Sequence, residues 1–111
     1  MTYWDILSEF IQSNSIVIDR EKGTSHPKYA DMIYPVDYGF ITNTQSMDGS
    51  AIDIFIGSED EQKINGIICV ADKVKNDSEI KVVLSCNENE IQTILDFLNR
   101  TAHMKAIFIN H

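Results

Sequence analysis

The stretch that decides the fold runs from residue 33 to residue 57 and reads IYPVDYGFITNTQSMDGSAIDIFIG. Pro35 forbids helix at its own position and disfavours it at Tyr34, so the first part is predicted to be extended. In the second part, Asp48 and Asp53 flank a Gly-Ser turn that leads into an apolar strand. Two carboxylates at a turn and a strand start, beside clustered tyrosines, are the groups that a hydrated Mg²⁺ and a phosphate need.

The rest of the chain predicts several closely spaced strands and two helices. The first helix follows Thr2, with Asp5 completing a capping box, and ends near Asn14. The second is capped by Asn87. Strands are expected at 15–20, 51–56, 67–70, 79–85 and 105–109. Because strands and helices do not alternate regularly, the pattern predicts one α+β, mainly β domain over residues 1–111, with a small, mainly antiparallel sheet or closed barrel and flanking helices.

Composition narrows the range of partners. The 111 residues include 17 acids and 9 bases, a net charge of −8, which argues against general nucleic-acid binding. No signal peptide and no membrane-length apolar run is found, so no membrane partner and a cytoplasmic location are expected. Cys69 and Cys86 lie in apolar, strand-like runs and are expected to be buried free thiols.

Alternation along the strands selects a set of polar residues. Side chains two apart in a strand share a face, so three strands each project an acid away from their most apolar face. If these faces converge, they form a polar pocket that contains Asp19, Asp53, Glu79 and Lys81. The alternative is that they are the exposed faces of half-buried strands, and the pattern alone favours that alternative.

Oxygen ligands such as Asp48 and Asp53 suit Mg²⁺ or Mn²⁺, and Mg²⁺ often uses one or two carboxylates together with a substrate phosphate. His26, His103 and His111 lie far apart in the sequence and form no ligand pair, so zinc is not expected. There is no Gly-rich phosphate loop.

Four segments, in order, resemble family I soluble inorganic pyrophosphatases. They are IVIDREKGTSHPKY (16–29), YPVDYGFI (34–41), DGSAID (48–53) and NDSEIKVVL (76–84). The second is close to the family's YPxNYGYI, and the third is similar to its DGDPxD signature. The resemblance covers about the middle two-thirds of the chain. It implies an OB-like antiparallel β-barrel with flanking helices, and the hydrolysis of a small phosphorylated substrate with Mg²⁺ or Mn²⁺.

The resemblance also implies roles for individual residues, carried over position by position. Metal binding is implied for the acids Asp48, Asp53, Asp77 and Glu79. Substrate binding is implied for Lys28, Lys81, Tyr34, Tyr38 and Asp19, with Tyr38 bonded to phosphate. The residues expected to carry catalysis are Asp48, Asp53 and Tyr38.

The departures from the family pattern bear on catalysis. Ser50 replaces the central acid of the signature, which in the family prepares the attacking water, and Ala51 replaces its proline. Ala30 stands where the family has a glutamate. The hairpin that carries the family's phosphate-binding arginine is almost wholly missing, and only Arg100 is left to substitute for the C-terminal Tyr-Lys pair. Asp37, beside Tyr38, is a carboxylate that could reach the site.

Two functions therefore follow from the sequence. The first is Mg²⁺-dependent hydrolysis of inorganic pyrophosphate or a related phosphoanhydride. The second is a degenerate pyrophosphatase-like domain that binds a phosphorylated ligand or a protein without turnover. Resemblance favours the first, whereas Ser50 and the missing hairpin favour the second. Trp4 and Phe10 could supply the contact of a homo-oligomer.

Overall fold

The computed structural model describes residues 1–111. The elements follow the predicted order of one helix, five strands, one helix and one strand. Their bounds are α1 (Tyr3–Ser13), β1 (Ile16–Arg20), β2 (Asp37–Ile41), β3 (Ile52–Ile56), β4 (Ile64–Asp72), β5 (Asp77–Leu84), α2 (Glu88–Leu98) and β6 (Met104–Asn110).

Both helices begin at the predicted capping boxes. The Thr2 side chain accepts the Asp5 amide, and the Asp5 carboxylate accepts the Thr2 amide. Asn87 and Glu90 make the same reciprocal pair at the start of α2. These bonds satisfy donors that the first turn of a helix would otherwise leave free. Neither helix has the length and apolar character needed to cross a bilayer.

The strands form one six-stranded sheet in the order β1-β2-β3-β5-β4-β6. The α+β class is confirmed, and the fold is consistent with an OB-like one. The sheet is mainly antiparallel, as predicted, but it contains one parallel pair and is open, so the closed barrel is not formed. Four of the strand pairs are antiparallel, whereas β3 and β5 are parallel. The nine-residue β4 carries the chain back along the far side of β5, so that β5 enters beside β3 in the same direction.

Each face of the sheet carries its own hydrophobic core. Leu7 of α1 packs with residues such as Ile54 and Val82 on one face. On the other, Ile94 of α2 packs with Phe55, which is fully buried. The face that the alternation assigned to polar residues is therefore apolar where α2 covers it and polar only beyond the helix. Both cysteines are free; Cys86 is buried as predicted, and Cys69 is half-buried.

The contact between β1 and β2 depends on Gly39. A methyl group on Gly39 would place its carbon 1.8 Å from the Val17 carbonyl oxygen, so only glycine allows β1 to lie this close. One residue further along, the pairing is shifted by a β-bulge between Ile18 and Arg20, which brings Arg20 opposite Tyr38. A bulge adds one residue to a strand and thereby changes the face on which the next side chain lies.

Gly39→Ala should therefore destabilise the fold by at least about 2 kcal/mol, because the backbone of β1 must move to admit the methyl group. Gly49→Ala is the matched control. Gly49 has a φ of +86° but no atom within 4 Å of the added carbon, so the expected cost is only about 1 kcal/mol. Urea unfolding of both variants measures the difference, and equal costs would contradict the close approach of the two strands.

Candidate active site

The polar side chains that converge on the sheet are organised by Lys81. Its ammonium group donates to the Tyr38 hydroxyl at 2.8 Å, to Asp53 Oδ2 at 2.8 Å and to Glu79 Oε1 at 3.2 Å. The three hydrogens of an ammonium group are thus all used. The convergence follows from the strand register, because β3 and β5 pair Asp53 with Lys81 and Glu79 precedes Lys81 by two residues on the same face.

Burial makes this cluster electrostatically tight. The side chain of Lys81 is 9% exposed, that of Glu79 is 13% exposed and that of Asp53 is 27% exposed. Burial opposes the charging of Lys81, but the Tyr38 oxygen and the Asp53 carboxylate outweigh it, and the pKa of Lys81 is raised. Burial also raises the pKa of Tyr38 against the opposing effect of Lys81. The site therefore contains a fixed ammonium ion and a neutral phenol.

Two carboxylates face this ammonium, and a third lies close by. Burial raises the pKa of Glu79; Lys81 lowers it, and the negative charges of Asp53 and Asp48 raise it again. Ser46 and Met47 of the turn before β3 line one cavity with Glu79, so this turn lies near the cluster. An excess of carboxylate over cation is an environment that favours the binding of another positive charge.

The turn that carries Asp48 has a defined geometry. The Ser46 carbonyl accepts the Gly49 amide at 3.0 Å, and Asp48 Oδ1 accepts the Ser50 amide at 2.9 Å. Gly49 adopts a left-handed conformation that glycine tolerates without strain. The side chains of Asp48 and Ser50 are both exposed, and Oδ2 of Asp48 makes no hydrogen bond.

A wall of aromatic rings supports the cluster from the core. The rings of Tyr34 and Tyr38 lie 5.3 Å apart. Phe97 of α2 packs 4.8 Å from Tyr34, and Phe55 packs 4.7 Å from Tyr38. Tyr34 is buried within the core, whereas Tyr38 is half-buried, so the Tyr38 hydroxyl is held at the edge of the core while its ring remains packed.

This wall includes one cation, Arg20, that was not among the predicted site residues. Arg20 donates a hydrogen bond to the Tyr34 hydroxyl, and its guanidinium carbon lies 5.5 Å from the Tyr34 ring centre and 5.7 Å from the Tyr38 ring centre. Strict alternation placed Arg20 with Ile16 and Ile18. The bulge reverses that assignment, and nothing in residues 16–20 signals a bulge.

The structure brings together Asp53, Glu79 and Lys81 from the predicted pocket but leaves out Asp19. That residue is exposed, lies at the bulge and makes no side-chain hydrogen bond or ion pair. Asp77 begins β5 on the face of Glu79 and Lys81 without an ion pair of its own.

Three further candidates lie outside the cluster. Lys28 is exposed, 5.9 Å from the ring centre of Tyr29. Asp37 accepts the Lys22 amide at 2.9 Å, and its neighbour Tyr38 lies on the other face of β2. Arg100 is paired with Asp31 at 2.8 Å.

The donor chemistry of the cluster fits Mg²⁺ in part. Asp53, Glu79 and Asp48 offer hard oxygen ligands, which Mg²⁺ and Mn²⁺ prefer. No three acids, histidines or cysteines lie close enough together to hold a metal ion with protein groups alone. Such a site suits an ion that keeps several waters and takes further ligands from a phosphate.

Comparison with known proteins places the chain in a family. The family model for inorganic pyrophosphatase matches residues 11–110. No curated protein matches the chain. Among solved structures, the inorganic pyrophosphatase of Coxiella burnetii has a TM-score of 0.62 at 14% identity, with 86% of this chain and 84% of that one covered. The pyrophosphatase of Neisseria gonorrhoeae has a TM-score of 0.61 at 18% identity, covering 81% and 77%. That of Helicobacter pylori has a TM-score of 0.59 at 15% identity, covering 86% and 81%.

The site combines a buried ammonium group, two phenols and several carboxylates. Groups of this kind can stabilise the charge of phosphate groups and bind the cations that accompany them. The chain belongs to the inorganic pyrophosphatase family, and its class of enzyme is an inorganic diphosphatase. The structural likenesses, all below 25% identity, establish the shared fold.

Removing the Lys81 ammonium group should lower the stability of the fold. Lys81→Met leaves two poorly exposed carboxylates without their cation, which we expect to destabilise the protein by about 2–3 kcal/mol near neutral pH. Burial already raises the pKa of Glu79, and loss of the Lys81 charge, which lowers that pKa, should raise it further above its unfolded value. The deficit is then full above the folded pKa of Glu79 and shrinks as the pH falls through it. Thermal unfolding across a range of pH measures it.

Lys105→Met is the matched control for that prediction. Lys105 is exposed, and its ammonium group bonds only to the Asn99 carbonyl oxygen at 3.0 Å. The expected cost is below about 0.5 kcal/mol at every pH. If Lys81→Met lost no more unfolding free energy than Lys105→Met, the cluster would contribute no electrostatic stability.

Proposed function

We propose that this chain hydrolyses inorganic pyrophosphate to two orthophosphates with Mg²⁺ or Mn²⁺, and that the cluster around Lys81 binds the substrate. The observation that carries the proposal is that Tyr38, Asp53, Glu79 and Lys81 meet at one point in a chain of this family. We include in the proposal that residues 1–111 act as one domain, that the protein is cytoplasmic and that it can form a homo-oligomer.

The reaction adds one water across the P–O–P bridge. The oxygen of the water bonds to one phosphorus, the bridging bond to that phosphorus breaks, and the two orthophosphates take up the protons of the water. Negative charge develops on the phosphoryl oxygens and on the departing oxygen, so fixed positive charges and hydrogen-bond donors near them lower the barrier. Lys81 and the neutral phenol of Tyr38 are such groups.

Asp48, Asp53, Asp77 and Glu79 are the residues that we propose hold metal, with one or two of them on each ion and with waters and phosphate as its other ligands. A bound divalent cation would neutralise phosphoryl charge and lower the pKa of a coordinated water. Lys81 then has a second task, because it orients the carboxylates of Asp53 and Glu79 before substrate enters. We propose that Lys28, Tyr34 and Asp19 contact the substrate at the margin of the cluster.

Position 50 limits the expected rate. The Ser50 side chain is exposed and its amide is bonded to Asp48, so no carboxylate stands there to remove a proton from the water. A positioned base contributes roughly 10²–10⁴-fold. We therefore propose an enzyme that turns over more slowly than one with an acid at this position.

Phosphate release from pyrophosphate tests the proposal, measured with Mg²⁺, with Mn²⁺ and with excess chelator. The wild type should release phosphate with a metal and none with chelator. Asp53→Asn should lose at least about 100-fold, because loss of even an outer-shell partner of a metal typically costs 10–100-fold. Asp60→Asn, at an exposed position with no side-chain bond, is the matched control and should stay within about two-fold of the wild type.

Ser50→Asp tests the assignment of the missing base separately. Because a carboxylate at this position can accept a proton from the water, turnover should rise by about 10-fold or more. Ser50→Asn introduces a side chain of the same shape without the base and should produce no rise. An equal rise in both variants would show that shape or polarity, and not proton removal, is limiting.

The second candidate function, binding without turnover, is favoured by one observation, the serine at position 50. It predicts that the wild type binds a pyrophosphate analogue in the presence of metal but releases no phosphate with Mg²⁺ or Mn²⁺. That result, checked by calorimetry and phosphate assay on the same preparation, would replace the hydrolase proposal. Release that Asp53→Asn leaves unchanged would contradict the site assignment.

A further inference from the structure

We propose that Arg20 is the substrate-binding arginine of this chain, and that it grips a phosphate group beside the ring of Tyr38, on the side of the Tyr34 hydroxyl. The sequence assigned no ligand to this residue. The inference rests on the proposed function for its substrate, but it concerns a binding group that the strand pattern concealed.

Arg20 lies on the same face of the sheet as Lys81. The bulge between Ile18 and Arg20 sets Arg20 opposite Tyr38 in the register of β1 and β2. Neighbouring residues in an antiparallel pair project to the same face, so the guanidinium enters the face on which Lys81 lies. Arg20 and Lys81 then flank one ring, at 5.7 Å and 5.2 Å from the centre of Tyr38.

Arg20 makes no ion pair, although the exposed Asp19 next to it in the chain contributes negative charge. The ion pairs of the structure involve Lys81 and Arg100 only, and the single side-chain hydrogen bond of Arg20 goes to the Tyr34 phenol. That bond uses one of five N–H donors. Arg20 is half-buried, and its other N–H groups have no acceptor in the protein, so they can donate to the oxygens of a ligand. The planar guanidinium can donate two parallel hydrogen bonds to a phosphate group.

The surroundings of Arg20 are rich in positive charge. The chain carries a net charge of −8, yet cations collect at this point. Burial lowers the pKa of His26, and the nearby charges of Arg20, Lys75 and Lys28 lower it further. His26 Nδ1 accepts the amide of Lys28 at 3.0 Å, which fixes the neutral ring at this margin. The region beside Tyr34 therefore attracts anions, whereas the region beside Asp53 attracts cations.

Together these features divide the site into two ends. A metal-bound phosphate would lie toward the carboxylates of Asp53 and Glu79, and the second phosphate would lie toward Arg20. Arg100 cannot share this task from its present position, because Asp31 holds its guanidinium through two bonds. The two arginines are the only ones in the chain, so they provide a direct comparison.

Calorimetric binding of methylenediphosphonate, which has no bridging oxygen to hydrolyse, tests the inference in the presence of Mg²⁺. Arg20→Gln should weaken binding by about 10- to 100-fold, because a charged hydrogen-bonding partner of phosphate is removed. Arg20→Lys should recover part of the loss, since it restores the charge but not the fork. Lys105→Gln, at an exposed position remote from the cluster, should bind like the wild type.

Thermal unfolding without ligand separates binding from a structural role on the tyrosine rings. We expect Arg20→Lys to melt close to the wild type while still binding more weakly. Equal binding by wild type and Arg20→Gln would overturn the inference, as would a loss in Arg100→Gln with none in Arg20→Gln.

The outcome is distinguishable from failure of the proposed function. If the wild type hydrolyses pyrophosphate while Arg20→Gln keeps the wild-type affinity for the analogue and the wild-type KM, only the role of Arg20 is overturned. Analogue binding that depends on Arg20, without any phosphate release by the wild type, overturns only hydrolysis. Absence of analogue binding to the wild type overturns both.

Discussion

The ammonium group of Lys81 is the interaction on which the rest of the site depends. It joins β2, β3 and β5 through Tyr38, Asp53 and Glu79. Burying a lysine is costly unless each of its donors is matched, and here all three are. The same arrangement that permits burial also aligns two carboxylates and a phenol toward one point. In the proposed function Lys81 would serve both stability and substrate binding, and the parallel pairing of β3 with β5 is what brings these side chains together.

The geometry divides the site by charge. Carboxylates predominate toward the turn that contains Asp48, and cations predominate toward Tyr34 and Arg20. Such a gradient suits a substrate that arrives with a divalent cation at one end and bare phosphate oxygens at the other. Ser50 lies at the acidic end, where a base would complete the constellation. Besides a base at position 50, this chain lacks the family's hairpin arginine, whose place we propose that Arg20 takes.

Much of this could be predicted from the sequence. Helix caps are local signals, and both capping boxes and the positions of the strands were confirmed. The period of two placed Glu79 and Lys81 on one face of β5 and Asp53 on the polar face of β3. The pattern favoured exposed faces, however, whereas the structure joins the three residues in a poorly exposed cluster. The parallel pairing escaped prediction, since the order of strands in a sheet depends on contacts between distant segments. Strict alternation places Phe55 on the same face as Asp53, because the pattern does not show which part of a face α2 covers.

The position of Arg20 could not be predicted for a related reason. Alternation assumes an unbroken strand, but β1 contains a bulge next to its closest approach to Gly39. The bulge is a property of two strands together, and the sequence of β1 alone carries no sign of it. The resemblance to the family did not help either, since it placed the phosphate-binding arginine in a hairpin that this chain almost wholly lacks. Both errors arise where tertiary contacts override local pattern.

The most direct test of the central claim is a crystal structure with Mn²⁺ and a non-hydrolysable pyrophosphate analogue. The account predicts anomalous density for Mn²⁺ on the carboxylates of Asp53 and Glu79, with one phosphate group near Lys81 and Tyr38 and the other within hydrogen-bond distance of Arg20. Metal and analogue bound away from Lys81, with its bonds to Asp53 and Glu79 unaltered, would contradict it.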